Sequence, residues 1–136
     1  MSIVLGYDDS SGAERALTVA ITMALRFDEP LVLVYGAAPP GLEGEEFRSH
    51  LEALEELGRK AVAHAVQRAT EQGVETKVEI VRAKPAEALV EIADRYDATL
   101  IVVGSYGESP IRGALLGSTP HRLLHLSVRP VLVVPH

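Results

Sequence analysis

The chain has 136 residues, no cysteine and a formal net charge of −6, and its 47% hydrophobic and 24% charged residues are typical of a globular protein. This length predicts one domain, residues 1–136, with a single core, while the missing cysteines exclude disulfides and thiolate metal sites. The negative net charge and the absence of a basic tract argue against a nucleic-acid binder. The sequence shows no signal peptide and no apolar run of about 20 residues, so we expect a soluble, cytoplasmic protein that does not bind membranes.

Five short segments rich in Val, Ile and Leu are predicted to be β-strands, namely residues 3–7, 31–36, 76–82, 99–104 and 131–134. Four of them are nearly continuous apolar runs, which is the pattern of parallel strands covered by helices on both faces. The third, residues 76–82, alternates between apolar and polar side chains and is expected nearer an edge of the sheet.

Two helical patterns lie between the first three strands. Ser11 and Glu14 have the spacing of a capping box at the start of the first helix. A long second helix is predicted over residues 45–72, with Gly73 just past its end. The apolar residues expected to face the core are Ala13, Ala16, Leu17, Ala20, Ile21, Ala24 and Leu25 in the first helix, and Phe47, Leu51, Leu54, Ala61, Val62, Ala65, Val66 and Ala69 in the second.

Two further helices follow the third and fourth strands. Pro85 opens the third, and the fourth begins near Ser118 or Thr119, with Pro120 in its first turn. The apolar residues expected to face the core are Leu89, Ile92 and Ala93 in the third helix and Leu123, Leu124 and Leu126 in the fourth. The regular alternation of strands and helices predicts an α/β fold, an open five-stranded parallel sheet with helices on both faces.

The segment VVGSYGESPIRGALLGST, residues 102–119, holds four glycines and ends in a Ser-Thr pair. It joins the carboxyl end of the fourth strand to the N-terminus of the fourth helix, an edge where open α/β sheets bind ligands and where helix N–H groups favour phosphate. Gly104 and Gly107 let the backbone approach a ligand closely, and Gly117 can take backbone angles that other residues avoid. The Ser118 and Thr119 hydroxyls suit phosphate oxygens. The structural alternative is a surface loop followed by a helix cap.

The spacing Gly104-x2-Gly107-x9-Gly117-Ser118 resembles the G-2x-G-9x-G-[S/T] motif of the universal stress protein family. Three further blocks resemble the family in the same order: IVLGYDDS its first strand and acidic turn, KPAEALVEIADRYDATLIVVGSYG its third helix and fourth strand, and RPVLVVP its last strand. The resemblance spans almost the whole chain. It implies a Rossmann-like sheet of strand order 3-2-1-4-5 and, because the motif is complete, the ATP-binding branch of the family.

The resemblance also implies roles for individual residues. Asp8 matches an aspartate that contacts the adenosine part of the nucleotide, with an Asx turn as its structural alternative. Gly36 falls where the family places a backbone contact to adenine, and Tyr7 precedes Asp8 in the same crevice. The residues that match ribose and phosphate contacts are Gly104, Gly107, Gly117, Ser118 and Thr119. Many members form homodimers through their fifth strands, so this chain's apolar fifth strand, Val131, Leu132, Val133 and Val134, is expected to pair with a second copy.

Several charged residues bear on nucleotide affinity. Asp9 stands where many family members have glycine and adds negative charge, while Pro120 removes one first-turn N–H group. Arg112, His121 and Arg122 are candidates for screening phosphate charge. The loop lacks a P-loop lysine, so we expect Mg²⁺ to accompany ATP. The other histidines, His50, His64, His125 and His136, have no metal-ligand spacing with one another.

These residues favour a nucleotide-dependent regulatory module with at most slow ATP hydrolysis. No pair among Asp8, Asp9, Ser118 and His121 has the distinctive spacing of catalytic groups beside a γ-phosphate. A response-regulator phosphoacceptor is excluded because the third strand ends IVRAK and the fifth VVPH, without the required aspartate and lysine. The loops of ATP-pyrophosphatases and of dinucleotide-binding Rossmann proteins are also absent. The alternative that stays open is an interaction protein of the same fold with a vestigial nucleotide site.

Overall fold

A five-stranded parallel sheet forms the centre of the structure, a computed structural model that describes residues 1–8, 10–37, 44–105 and 116–135. The strands are β1 (Ser2–Gly6), β2 (Leu31–Gly36), β3 (Thr76–Val81), β4 (Ala98–Gly104) and β5 (Val131–Val134). They lie in the order β3-β2-β1-β4-β5, and every neighbouring pair is parallel. The predicted α/β fold and strand order are confirmed, and β3 is an edge strand as expected.

The helices in the described part of the chain are α1 (Ser11–Phe27), α2 (Gly44–Glu71), α3 (Pro85–Arg95) and α4 (Ser118–Leu126). Local sequence explains several of their ends. Pro85 stands in the first turn of α3, where its missing N–H group costs nothing. Gly73 follows α2 with a φ of 80°, a left-handed conformation that suits glycine. None of the helices within these described ranges is long and apolar enough to cross a membrane.

The sheet is buried on both faces because its central strands carry apolar side chains in both directions. On one face, Leu5 of β1 packs in a cluster with residues of α1 and α2, including the fully buried Leu17. On the other face, Val4 and Ile101 pack with residues of α3 and α4. The helices therefore sandwich the sheet and leave its two ends as the places where loops converge.

The N-terminus of α1 lies one residue from its predicted position. Ser10, not Ser11, is the N-cap, and its Oγ accepts a hydrogen bond from the Ala13 N–H at 3.2 Å. The Ser11–Glu14 capping box is therefore wrong, since two adjacent serines fit the pattern and only the first occupies the cap position. The Glu14 carboxylate instead accepts hydrogen bonds from Tyr7 and from α2.

Three leucines predicted to face the core are exposed instead. Leu25 is 50% exposed, Leu124 56% and Leu126 39%, whereas Leu123 is fully buried. Successive helical residues point about 100° apart, so Leu123 and Leu124 cannot both face the sheet. The buried stripe of α4 is narrower than its apolar sequence suggests.

Candidate functional site

The carboxyl ends of β1, β2 and β4 border a cavity of about 390 Å³. Small-molecule sites typically enclose about 300–1,000 Å³. The chain passes from β1 to β2 on one side and later returns to β4 on the other, so the cavity lies where the strand order reverses, the usual ligand position in open α/β sheets. The predicted site residues that line it are Tyr7, Asp8, Gly36, Gly104, Gly117, Ser118 and Thr119.

Three other predicted residues are not placed at the cavity. Gly107 and Arg112 lie outside the described residues. His121 is exposed on α4 and does not line the cavity. Among the described residues of the wall, Asp8 carries the only charged side chain.

Gly104 and Gly36 allow backbone segments to pack against the strand ends. A Cβ atom at Gly104 would lie 2.9 Å from the carbonyl oxygen of Gly12 in the first turn of α1. A Cβ atom at Gly36 would lie 2.8 Å from the carbonyl oxygen of Ala83 and from the Cα atom of Pro85. Both distances are too short for real side chains, so these glycines are needed for the close approach of α1 and α3.

The turn after β1 is held by Asp8 and Ser10. The Ser10 N–H donates to Asp8 Oδ1 at 3.0 Å, and the Ser10 hydroxyl oxygen caps α1. Asp8 is exposed and lines the cavity. The local turn predicted as the structural alternative for Asp8 is therefore present, and it engages one of the two carboxylate oxygens.

The N-terminus of α4 opens onto the cavity without a side-chain cap. Gly117 is the N-cap residue, and Ser118 and Thr119 occupy the first two helical positions. The alternative that their hydroxyls cap the helix is therefore not observed. First-turn N–H groups have no partner within a helix, so those of Ser118 and Thr119 point out of its end, while Pro120 contributes none.

Gly117 has a φ of −68° and a ψ of 171°, an extended conformation that any residue adopts. The chain therefore does not use, at Gly117, the wider range of backbone angles that glycine allows. The Gly117 N–H donates to the Ser105 carbonyl at 2.6 Å, and the Ser105 N–H donates to the Val134 carbonyl at 2.9 Å. These bonds fasten the start of α4 to the carboxyl edge of the sheet.

A partly buried hydrogen-bond network joins the cavity to α2. Tyr7 is 2% exposed, and its hydroxyl donates to Glu14 Oε1. Arg68 donates from Nη1 to Glu14 Oε2 at 2.5 Å and from Nη2 to the Thr18 hydroxyl at 3.0 Å. Sequence reasoning did not find this network, because Glu14 and Arg68 are 54 positions apart and only the packing of α2 on α1 brings them together.

An ion pair ties α3 to α4 beside the cavity. The Arg122 Nε–H group donates to Glu87 Oε1. This hydrogen bond lowers the pKa of Glu87 below its ordinary value of 4.5. Arg122, a candidate for screening phosphate, is thus paired with a carboxylate. The described residues contain no group of three or more His, Asp or Glu side chains placed to hold a metal ion.

Besides Pro120, the cavity is lined by eight described residues that sequence reasoning did not assign to it: Gly6, Ser10, Ala13, Val34, Tyr35, Pro85, Leu89 and Val103. Most are apolar residues whose sequence pattern is that of a core. The sequence signal that could have identified some of them is their position at a strand end. Val34 and Val103 each fall in the last residues of a predicted strand, where open α/β sheets bind ligands.

A Rossmann-like parallel sheet with a ligand-sized crevice at its switch point defines a broad class of α/β proteins. Within it, residues 1–135 match the model of the universal stress protein family, and the chain belongs to that family. It is 34% identical over 136 residues to universal stress protein MJ0531 of Methanocaldococcus jannaschii, covering 97% of this chain and 80% of that relative.

Solved structures agree with this assignment. The structure of MJ0577, from the same archaeon, has a TM-score of 0.88 and 28% identity, covering 99% of this chain and 96% of that one. A universal stress protein solved in complex with cAMP has a TM-score of 0.73 and 28% identity, covering 98% of this chain and 96% of that one. The family resemblance predicted from the motif blocks is confirmed.

Proposed function

We propose that this chain binds ATP with Mg²⁺ in the cavity and acts as a nucleotide-dependent regulatory module of a cytoplasmic stress response. The observation that carries the proposal is the uncapped N-terminus of α4, which opens with Gly117, Ser118 and Thr119 onto a cavity of ligand size. The N–H groups and dipole of a helix N-terminus together favour a phosphate group.

The side chains and backbone groups on the cavity walls suggest how the nucleotide is oriented. On the α4 side, Ser118 and Thr119 offer N–H groups and hydroxyls for phosphate oxygens. On the β2 side, the apolar Val34 and the strand-end residues Tyr35 and Gly36 line the cavity, and a wall of this kind suits a flat base. Asp8 follows β1, which lies between β2 and β4 in the sheet, and this position supports a contact with the ribose.

The described part of the site has too little positive charge to bind a triphosphate alone, which is why Mg²⁺ is included with ATP. A helix N-terminus supplies about half an elementary charge, far less than a triphosphate needs. Asp8, the charged side chain of the described wall, is itself negative. Mg²⁺ bound to the phosphate oxygens, with several of its waters retained, supplies the missing positive charge.

The relative solved with cAMP supports an adenine nucleotide as the ligand class. That protein is 28% identical to this chain over nearly its whole length. Its ligand shares the base and sugar of ATP, which are the parts assigned here to the β2 and β1 sides of the cavity.

Hydrolysis by this site is proposed to be slow at most. Phosphoryl transfer needs a group that orients the attacking water beside the γ-phosphate. Among the described residues of the wall, Asp8 is the carboxylate available for this, and it already accepts a hydrogen bond from the Ser10 N–H. It also lies on the ribose side of the proposed pose.

Calorimetric titration of ATP and Mg²⁺ into nucleotide-free protein tests the proposal, with Gly117→Val as the variant. The extended backbone at Gly117 accepts valine, so we expect the variant to fold while its side chain blocks the approach of phosphate to α4. Wild-type protein should bind with a Kd on the order of micromolar, and the variant roughly tenfold or more weakly.

Ala63→Val is the matched control, because Ala63 is exposed on α2 and the substitution adds a side chain of similar size far from α4. It should bind ATP like the wild type. If millimolar ATP gives neither heat nor thermal stabilisation in the wild type, the site is vestigial and the proposal is wrong.

We further propose that the protein forms a homodimer through β5. The opposite edge strand, β3, carries Lys77 and Glu79, charged residues of the kind that discourage strand pairing. β5 reads Val131 to Val134 without a charge, and its first three side chains are only half-buried. Its edge is therefore suited to a second copy of the chain.

Val133→Pro tests the dimer without disturbing the sheet of one protomer. Pro130 and Val134 accept hydrogen bonds from Ile101 of β4 and from Ser105, which directly follows β4. Backbone groups alternate in direction along a strand, so the Val133 N–H points away from β4. Sedimentation velocity at micromolar concentration should show a dimer for the wild type and a folded monomer for the variant. A monomeric wild type contradicts the proposal.

A further inference from the structure

Two histidines of α4 stand together outside the cavity. His121 and His125 are four positions apart, which places them on the same side of a helix. Their ring centroids are 5.1 Å apart, with 71° between the ring planes. Both side chains are exposed, so solvent reaches their nitrogens and the rings have room to rotate.

This separation matches that of two imidazoles that share a metal ion. A ligating nitrogen lies about 2.0–2.1 Å from zinc, which puts the metal about 3.2 Å from each ring centre and separates the centres by about 5 Å at a tetrahedral angle. The observed 5.1 Å is close to this value. Metal binding requires the rings to rotate about their Cβ–Cγ bonds from this T-shaped arrangement, so that one nitrogen of each turns toward a common point.

The charges around the pair also permit a cation. Arg122, the residue next to His121, is held by the Glu87 carboxylate of α3, so its positive charge is neutralised locally. The apolar Leu124 is the neighbour of His125 in the chain. We propose that His121 and His125 form a two-histidine chelate for a divalent transition-metal ion, with water in the remaining positions.

Imidazole nitrogens select the class of metal. They suit Zn²⁺, Ni²⁺ and Cu²⁺, with Cu²⁺ bound most strongly, whereas Mg²⁺ prefers oxygen ligands. The chelate is therefore distinct from the Mg²⁺ that accompanies ATP in the proposed function. Its existence does not depend on nucleotide binding.

A metal ion bound by the two histidines would stabilise α4, the helix whose N-terminus lines the cavity. α4 has only nine residues and no side-chain N-cap, and helices this short are unstable on their own. A metal ion held by His121 in its second turn and His125 in its last would cross-link the two turns. The same ion would thus stabilise the helix whose first residues, Ser118 and Thr119, face the cavity.

Titration of ZnCl₂, and separately CuCl₂, into tag-free and nucleotide-free protein tests this inference by calorimetry. We expect one ion per chain, tighter binding of Cu²⁺ than of Zn²⁺, and a higher unfolding midpoint with either ion. His121→Asn and His125→Asn should each weaken binding at least tenfold and abolish the rise in midpoint. MgCl₂ should produce no such rise.

His50→Asn and His64→Asn are matched controls, since each removes one exposed histidine from α2. Both should bind metal like the wild type. Equal losses in these variants, an unchanged affinity in the double variant His121→Asn/His125→Asn, or one ion per two chains would overturn the inference. Because no nucleotide is present, failure of the ATP titration leaves this result untouched, and the reverse is also true.

Discussion

Truncation of Leu123 to alanine is expected to lower the free energy of unfolding by about 2–5 kcal/mol, the range for buried leucines. Leu123 is fully buried in the cluster between α3, α4 and the sheet. Along α4 the other buried residue is Pro120, so the helix has few apolar anchors among its described residues. Loss of this anchor should also weaken ATP binding, because α4 carries the N–H groups proposed to hold phosphate. Urea unfolding and calorimetric titration measure the two effects.

Leu124→Ala is the control for this prediction. This substitution removes the same number of side-chain atoms as Leu123→Ala, one position further along the helix. The Leu124 side chain, however, is 56% exposed. The expected change is within about 0.5 kcal/mol, as for most surface substitutions. Equal destabilisation by the two variants would mean that Leu124 is as buried as Leu123 and that α4 is rotated on the sheet accordingly.

Replacement of Gly104 by alanine is expected to cost about 1–3 kcal/mol, the usual effect of an extra methyl group in a packed interior. The new Cβ atom would lie 2.9 Å from the carbonyl oxygen of Gly12 and 3.0 Å from its carbonyl carbon. A backbone cannot rotate out of the way as a side chain does, so α1 must move away from β4. That movement shifts the turn that holds Asp8 and Ser10, and ATP binding should weaken as well.

Gly6→Ala provides the comparison at the same edge of the sheet. Its Cβ atom would also lie 2.9 Å from its nearest neighbour, but this neighbour is a terminal methyl carbon of Leu89. A leucine side chain adjusts at low cost, so the loss should be less than half of that for Gly104→Ala, as measured by urea unfolding. An equal or larger loss for Gly6→Ala would show that backbone contact is not what makes Gly104 necessary.

Most of the fold was predictable because its signals are local. The four apolar runs, the alternating third strand, the proline that opens α3 and the glycine that ends α2 each act within a few residues. The strands and helices accordingly lie close to their predicted positions. The strand order followed from the family resemblance rather than from the pattern of residues. The errors arose where the local signal was degenerate, as with two adjacent serines before α1 and three leucines within four positions of α4.

Part of the candidate site was likewise predictable from the sequence, and part was not. The glycine spacing identified Gly104 and Gly117 from sequence, but the reasons for those glycines differ from those expected, since Gly117 has ordinary backbone angles and Gly104 is limited by Gly12. Tyr35 and Pro85 lie on the wall of the cavity with no sequence signal beyond that of core and helix start. Such residues become part of a site only through the positions of neighbouring strands.

The sequence by itself determined the family, the order of strands and helices along the chain, and the segments that meet at the ligand edge, because periodicity, glycine spacing and helix-opening prolines act over short distances. Only the tertiary structure decided which leucine of α4 is buried, how Tyr7, Glu14 and Arg68 form one network, and that His121 and His125 lie free of the cavity. The physical reason is that these outcomes depend on how each helix is rotated and seated on the sheet. That seating is set by close packing among residues distant in the chain, which no local pattern records.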